Sequence, residues 1–139
     1  MVNYLAIINA YADLIRSETD TPVIVMPSEV KSERFHVELS PLAHPTLVGN
    51  GRARIRLRAT VFAEIPPSDI AINDCLTKSL KLANFFDETQ GVKIDEGFYA
   101  LAYHTALRDD DELFADLDED RSYAYSESWL CEIEFDNNL

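Results

Sequence analysis

Strict alternation of side-chain character between Arg52 and Glu64 limits the possible folds more than any other feature of this chain. Apolar residues occupy every second position: Ala53, Ile55, Leu57, Ala59, Val61 and Ala63. The intervening positions hold Arg52, Arg54, Arg56 and Arg58, and then Thr60, Phe62 and Glu64. Because successive side chains of a strand point to opposite faces, this period of two predicts one long strand with a buried face and an arginine-lined face. Pro66 and Pro67 end it, since proline cannot donate to a strand ladder.

The rest of the chain divides into segments of helical and strand character. Apolar residues at helical spacing predict a helix over residues 3–18, and Ser68 is placed to cap a second helix that runs to about Asp87. The buried stripe of the first is expected at Tyr4, Leu5, Ile8, Tyr11, Ala12 and Ile15, and that of the second at Ile72, Leu76, Leu80, Ala83 and Phe86, flanked by Cys75 and Leu82. Further strands are expected at Val23–Met26, Arg34–Leu39, Val92–Asp95, Phe98–Leu107 and Arg121–Phe135. Gly91 marks a turn, and residues 40–51, with two prolines and two glycines, read as a long excursion.

This order of elements predicts an α+β fold. An N-terminal helix and a second helix pack on one face of a mostly antiparallel sheet, which ends in a long C-terminal hairpin. With 139 residues and no internal repeat or boundary, residues 1–139 are expected to form a single domain.

Charge and cysteine content favour some function classes over others. The net charge is −13, and the segment from residue 109 onward holds twelve acidic residues against the single base Arg121. Such a surface is repelled by phosphates and anionic lipid, so no nucleic-acid or membrane binding is expected. No apolar run has the length of a membrane span, and the N-terminus lacks the pattern of a secretory signal. Cys75 and Cys131 lie in apolar patterns and are expected to be buried free thiols, which indicates a reducing, cytoplasmic compartment.

The four arginines form a ladder of positive charge along one strand face, and two interpretations of it stay open. In one, the face is solvated and its side chains pair with acidic neighbours across the sheet. In the other, the ladder (Arg52, Arg54, Arg56 and Arg58) binds an acidic surface of a partner or of a second copy, because guanidinium groups bind carboxylates in bidentate fashion.

The second candidate binding segment is acidic and spans residues 109–120. It is predicted to form a hairpin tip whose partner-binding residues are Asp109, Asp110, Asp111, Glu112, Leu113, Phe114, Asp116 and Asp118. Asp116, Asp118, Asp120 and Glu127 have the spacing of a calcium loop, but Arg121 occupies the position at which the sharp turn requires glycine. No metal site is therefore predicted here.

Catalytic motifs are scarce. His36, His44 and His104 are isolated from one another and from the cysteines, and neither a nucleophile elbow nor a glycine-rich phosphate loop occurs. The sequence therefore predicts a protein without an enzymatic role and without a cofactor.

The order of elements resembles that of small proteins of tailed phages and prophages: tail terminators, minor tail proteins and head–tail completion proteins. The residues that carry the resemblance are the helix at Tyr4–Ile15, the strand Val23–Met26, the long strand Arg54–Ala63, the helix Ile70–Phe86 and the hairpin of Phe98–Leu107 with Arg121–Phe135. The resemblance implies a structural virion component that assembles in the host cytoplasm. It further implies a homo-oligomeric ring, usually of six copies, which ends the tail tube and contacts the head connector.

A ring built head to tail needs two different, complementary patches on each copy. The arginine ladder and the acidic segment are candidates for these patches. Two alternatives remain open at this point. The chain could be a small acidic binding module, such as an inhibitor, an immunity protein or a nucleic-acid mimic, that presents residues 109–120 to a basic partner; or it could be an enzyme of unknown type with a concave pocket.

Overall fold

A computed structural model describes residues 3–26, 35–95, 98–107, 114–116 and 123–136. Within these residues the chain forms two helices and eight strands: α1 (Tyr4–Thr19), β1 (Val23–Val25), β2 (His36–Pro41), β3 (Thr46–Gly49), β4 (Arg52–Ile65), α2 (Asp69–Phe86), β5 (Gln90–Asp95), β6 (Phe98–Leu107), β7 (Phe114–Asp116) and β8 (Tyr123–Asp136). Neither helix has the length and apolar character needed to cross a membrane.

The strands form one sheet in the order β1-β2-β4-β8-β6-β5, in which β3 also pairs with β4 and β7 also pairs with β8. The pairing of β1 with β2 is parallel, and the other pairings are antiparallel. Both helices lie on one face, because Tyr11 of α1 reaches Cys131 and Ser79 of α2 reaches Tyr125, which share a face of β8. The predicted α+β class is confirmed.

The two longest strands, β4 and β8, form the centre of the sheet. Their register runs without a break from Arg52↔Asp136 to Ile65↔Tyr123. The odd-numbered residues of β4 are buried under the helices, and so are Tyr125, Trp129, Cys131, Ile133 and Phe135 of β8. The predicted division of β4 into an apolar and an arginine-lined face is therefore confirmed, and both cysteines are buried free thiols as expected.

Helix α1 begins at Asn3, whose side-chain Oδ1 accepts a hydrogen bond from the Ala6 N–H, and ends at Asp20 in the left-handed conformation. Its buried residues are Ile7, Ile8, Tyr11, Ala12, Ile15 and Thr19. The expected burial of Tyr4 and Leu5 is wrong, since both are exposed in the first turn.

Helix α2 begins at the predicted cap, where Ser68 Oγ accepts from the Ala71 N–H. Its predicted stripe is wrong in part, because Leu76 and Leu80 are exposed. The residues that it buries are Cys75, Leu82, Phe85 and Phe86. The helix is thus rotated from the expected orientation: Phe86 is buried as predicted, but Leu82, Phe85 and Cys75 are buried with it in place of Leu76 and Leu80.

The excursion at residues 40–51 is largely β-structure. Strand β2 extends to Pro41, the Leu42 N–H donates to the Arg56 carbonyl, and β3 forms a hairpin with β4. The turn consists of Gly49, Asn50 and Gly51, all with positive φ, a conformation that glycine and asparagine adopt at least cost. The turn expected at Gly91 is wrong, because Gly91 lies inside β5.

Candidate functional site

The arginine ladder lies on the sheet face opposite the helices, and three of its members pair with two glutamates of β8. The Arg52 Nε donates to the Glu134 carboxylate at 3.1 Å, and the Arg56 Nε donates to Glu132 at 3.2 Å. Arg54 lies between them and contacts Glu132 at 3.4 Å and Glu134 at 3.5 Å. Since Arg54 lies opposite Glu134 and Arg56 lies opposite Glu132 in the register, these are cross-strand pairs.

Arg58 differs from the other three ladder residues. Its cross-strand neighbours are Leu130 and Ser40, and it contacts no carboxylate within the part of the chain that the structure describes. Arg58 is an exposed residue, so its charge is available to bind a partner's carboxylate. Charge reversal at Arg54 or Arg56 would disturb the sheet itself, whereas Arg58 can be changed without breaking a described ion pair.

Next to the ladder, the outer face of β6 exposes apolar side chains. Tyr99 is 59% exposed and Leu101 is 40% exposed, and Tyr103 lies beside them. The Arg54 guanidinium lies over the Tyr103 ring, 5.8 Å from its centroid. These three residues of β6 form what we call the apolar column, and no described element covers it.

The β3–β4 hairpin exposes a second apolar surface, on the other flank of the sheet. Leu47 of β3 is 76% exposed, and Val48 and Leu42 are exposed nearby. Strand β3 pairs only with β4 among the described strands, so its other edge presents unpaired backbone groups. We call Leu42, Leu47 and Val48 the hairpin patch.

Most of the predicted acidic segment lies outside the described residues, including Asp109, Asp110, Asp111, Glu112, Leu113 and Asp118. Phe114 and Asp116 belong to β7, which pairs with β8 at Tyr123–Tyr125. Glu132 and Glu134 lie farther along β8, at least seven residues or roughly 23 Å away. Within one copy, the described part of the acidic segment is therefore not beside the ladder.

On the helical face, a buried polar network joins three elements. Because the Glu88 carbonyl oxygen, 2.9 Å from His104 Nδ1, can only accept, Nδ1 carries the ring proton. The His104 Nε2 then accepts from the Tyr11 hydroxyl at 2.7 Å, and the Tyr11 oxygen lies 3.2 Å from the Cys131 Sγ. Burial lowers the pKa of His104, raises that of Tyr11 and raises that of the Cys131 thiol to about 12. All three groups are therefore neutral near pH 7.

The neutral state of His104 makes the stability of the chain depend on pH. Its pKa is below 6.5 in the folded chain and about 6.5 in the unfolded chain. As the pH falls below about 6.5, the unfolded state binds the proton first, so the free energy of unfolding decreases; above about 6.5 the contribution is constant. We expect His104→Gln to reduce this slope in urea titrations at a series of pH values. His44→Gln, a change at an exposed histidine, is the control, and equal slopes in wild type and His104→Gln would contradict the assignment.

A second polar cluster connects α2 to β8. Ser79 and Tyr125 are in hydroxyl-to-hydroxyl contact, and the Tyr125 hydroxyl donates to the Glu127 Oε2 at 2.8 Å. Ser79 Oγ also lies 3.4 Å from this oxygen. Burial raises the pKa of Tyr125, so it remains a donor. Among the described residues, no histidine hydrogen-bonds to Ser79, the usual arrangement for activating a serine nucleophile.

Beside this cluster, a cleft of about 370 Å³ separates the C-terminal half of α2 from β6 and β8. Its lining residues are Ala83, Asn84, Phe86, Asp87, His104, Ala106, Glu127 and Trp129. The described residues contain no group of three side chains able to hold a metal ion. Both ring nitrogens of His104 are hydrogen-bonded, one to Tyr11 and the other to the Glu88 carbonyl, so neither is available to accept a proton from a molecule in the cleft.

No family model matches this chain, and no curated protein sequence matches it. The surfaces must therefore be interpreted from their own chemistry. Sequence reasoning identified the ladder, and the alternating Glu132 and Glu134 were the signal for its intramolecular pairing. It missed the hairpin patch and the cleft, because both depend on which sides of β3 and α2 face solvent.

Proposed function

We propose that this chain is a structural assembly protein of a tailed phage or prophage, which forms a ring of identical copies at the end of the tail tube or between tail and head. The observation that carries the proposal is the hairpin patch, in which Leu47 is 76% exposed. Apolar side chains that project into water from a hairpin are unfavourable, and burying them against a partner lowers the free energy of the complex. Tail-tube and head-connector proteins are the further partners that the proposal implies.

The positions of the two apolar surfaces support a head-to-tail contact between copies. Leu101 of the apolar column, Glu134, Arg54 and Thr46 lie in one row across the sheet, so β6 and β3 flank the central pair on opposite sides. At the usual strand spacing they are about 14 Å apart. A closed ring requires two different patches on each copy, and the hairpin patch of one copy against the apolar column of the next satisfies that requirement.

Substitutions on the two surfaces test this contact. We expect Leu47→Glu and Leu101→Glu each to reduce the wild-type assembly to a monomer of 15.7 kDa, measured by light scattering after size exclusion. Ile70→Glu, at a residue of α2 that is 84% exposed, is the matched control and should leave the assembly intact.

Mixing the two variants is the more specific test. Each variant keeps one sound patch, so Leu47→Glu and Leu101→Glu together should form a one-to-one dimer of about 31 kDa, twice the 15.7 kDa chain, although neither associates alone. A mixture that remains monomeric would contradict the head-to-tail contact. A wild-type chain that is monomeric at all concentrations and captures basic proteins in a salt-dependent manner would instead favour the acidic binding module.

A further inference from the structure

We infer that the cleft between α2, β6 and β8 binds a ligand that carries an alkyl-guanidinium or alkyl-ammonium group. The inference does not depend on the ring, because the cleft lies on the helical side of the sheet and the proposed ring contacts lie on the outer face and the hairpin.

The charge of the cleft is the first argument. Its lining contains the two carboxylates of Asp87 and Glu127 and no lysine or arginine. His104 is the remaining ionisable residue of the lining. Its Nδ1–H donates to the Glu88 carbonyl oxygen, and its Nε2 accepts from the Tyr11 hydroxyl. A cationic ligand therefore meets negative charge in the cleft without a competing cation among its lining residues.

The fixed position of the Glu127 carboxylate is the second argument. The Tyr125 hydroxyl donates to its Oε2, and Ser79 Oγ lies 3.4 Å from the same oxygen, so these contacts hold the side chain against α2. The Oε1 atom makes no hydrogen bond within the described residues, so it can accept from a ligand N–H. A carboxylate that its neighbours already orient loses less entropy on binding than a mobile surface glutamate does.

The apolar wall is the third argument, and it indicates that the cation is attached to an alkyl chain. Trp129 stacks on Phe86 with ring centroids 4.4 Å apart and an interplanar angle of 23°. Trp129 and Phe86 are only 5% and 3% exposed, so the half-buried Ala83 and the exposed Ala106 supply most of the apolar surface that a ligand would contact, with the ring edges behind them. Methylene groups can pack on such a wall while the cation stays near the carboxylates and the aromatic rings.

The chain has one tryptophan, Trp129, and it lines the cleft, so its fluorescence reports binding directly. Agmatine is a suitable probe because it carries both an alkyl-guanidinium and an alkyl-ammonium group and no carboxylate. We expect a saturable change in Trp129 emission on titration with agmatine, and no saturable change with N-butylurea, a neutral analogue of its alkyl-guanidinium half. A nonsaturable response to agmatine, or an equal response to N-butylurea, would overturn the inference.

Matched variants separate a specific site from the general acidity of the chain. Glu127→Gln keeps an acceptor for Tyr125 and Ser79 and should weaken agmatine binding about tenfold. Glu88→Gln removes the same charge from an exposed residue outside the lining and should change the affinity less than about twofold, as expected for a screened charge. Should Glu127→Gln fail to fold, Asp87→Asn, an exposed change in the same lining, serves in its place. Equal affinities for wild type and these cleft variants would overturn the inference.

A capped peptide, acetyl-Gly-Arg-Gly-amide, identifies the source of the cation. Tighter binding of the peptide than of agmatine would assign the cleft to an arginine side chain of a protein partner. Tighter binding of agmatine would assign it to a free organic cation. Both outcomes support the site, and a failure of both probes to bind would overturn it.

Discussion

Trp129→Ala is expected to lower the free energy of unfolding by about 3–5 kcal/mol, the range for truncating a large buried aromatic side chain. The Trp129 side chain is 5% exposed and stacks on Phe86, so it holds the C-terminal end of α2 against β8. Its cross-strand neighbours are Ala59 on β4 and Ala106 on β6. Because both are small, neither can expand into the space that the indole leaves, and the cavity remains open.

Urea unfolding followed by far-ultraviolet circular dichroism measures this loss without depending on tryptophan emission. The comparison is best made in the Leu47→Glu background, because association would otherwise make the apparent stability depend on concentration. Trp129→Phe, which keeps an aromatic ring against Phe86, should lose about half as much or less. A loss below about 1 kcal/mol for Trp129→Ala would show that the indole does not hold α2 on the sheet.

Glu132→Lys is expected to lower the free energy of unfolding by about 2–4 kcal/mol, because it removes the carboxylate paired with Arg56, leaves Arg54 with Glu134 alone, and adds a like charge between the two arginines. Glu132 is the shared partner of Arg54 and Arg56, and its side chain is largely removed from water. The Arg54 Nε is already buried without a hydrogen-bond partner among the described residues. Arg54 therefore has little capacity to compensate for the loss of this carboxylate.

Glu64→Lys is the control for this charge reversal. Glu64 is an exposed glutamate on β4 with no ion pair among the described residues, so its reversal should change stability by less than about 0.5 kcal/mol. Similar losses for Glu132→Lys and Glu64→Lys in thermal unfolding would show that the ladder pairs contribute nothing specific to the sheet.

The strands could be predicted well where their alternation is strict. Arg52 to Glu64 was expected as a strand and is observed as Arg52–Ile65, and β6 has the expected bounds of Phe98–Leu107. Alternation fixes which residues share a face, and in β4 the small apolar side chains on one face leave no doubt about which face is buried. The prediction of a long loop at residues 40–51 was wrong because prolines and glycines indicate turns. The short strand Thr46–Gly49 lies between those residues and has too few positions to show an alternating pattern.

The orientation of α2 could not be predicted because the helix is apolar on more than one side. The predicted stripe contained Leu76, Leu80 and Phe86, with Cys75 and Leu82 on its flank. The structure buries the flank, Phe85 and Phe86, and leaves Leu76 and Leu80 exposed. The choice between them depends on distant partners, namely Tyr125 for Ser79 and Trp129 for Phe86. The cleft depends on the same orientation of α2. Its lining residues are spread from Ala83 to Trp129, so no short sequence pattern could have predicted it.

Native mass spectrometry of the wild-type chain tests the proposed assembly most directly. We expect one closed stoichiometry at micromolar concentration. The resemblance to tail-completion proteins implies six copies, about 94 kDa for a 15.7 kDa chain. A wild-type spectrum that contained only the 15.7 kDa monomer would contradict the account, because the hairpin patch and the apolar column would then remain in water.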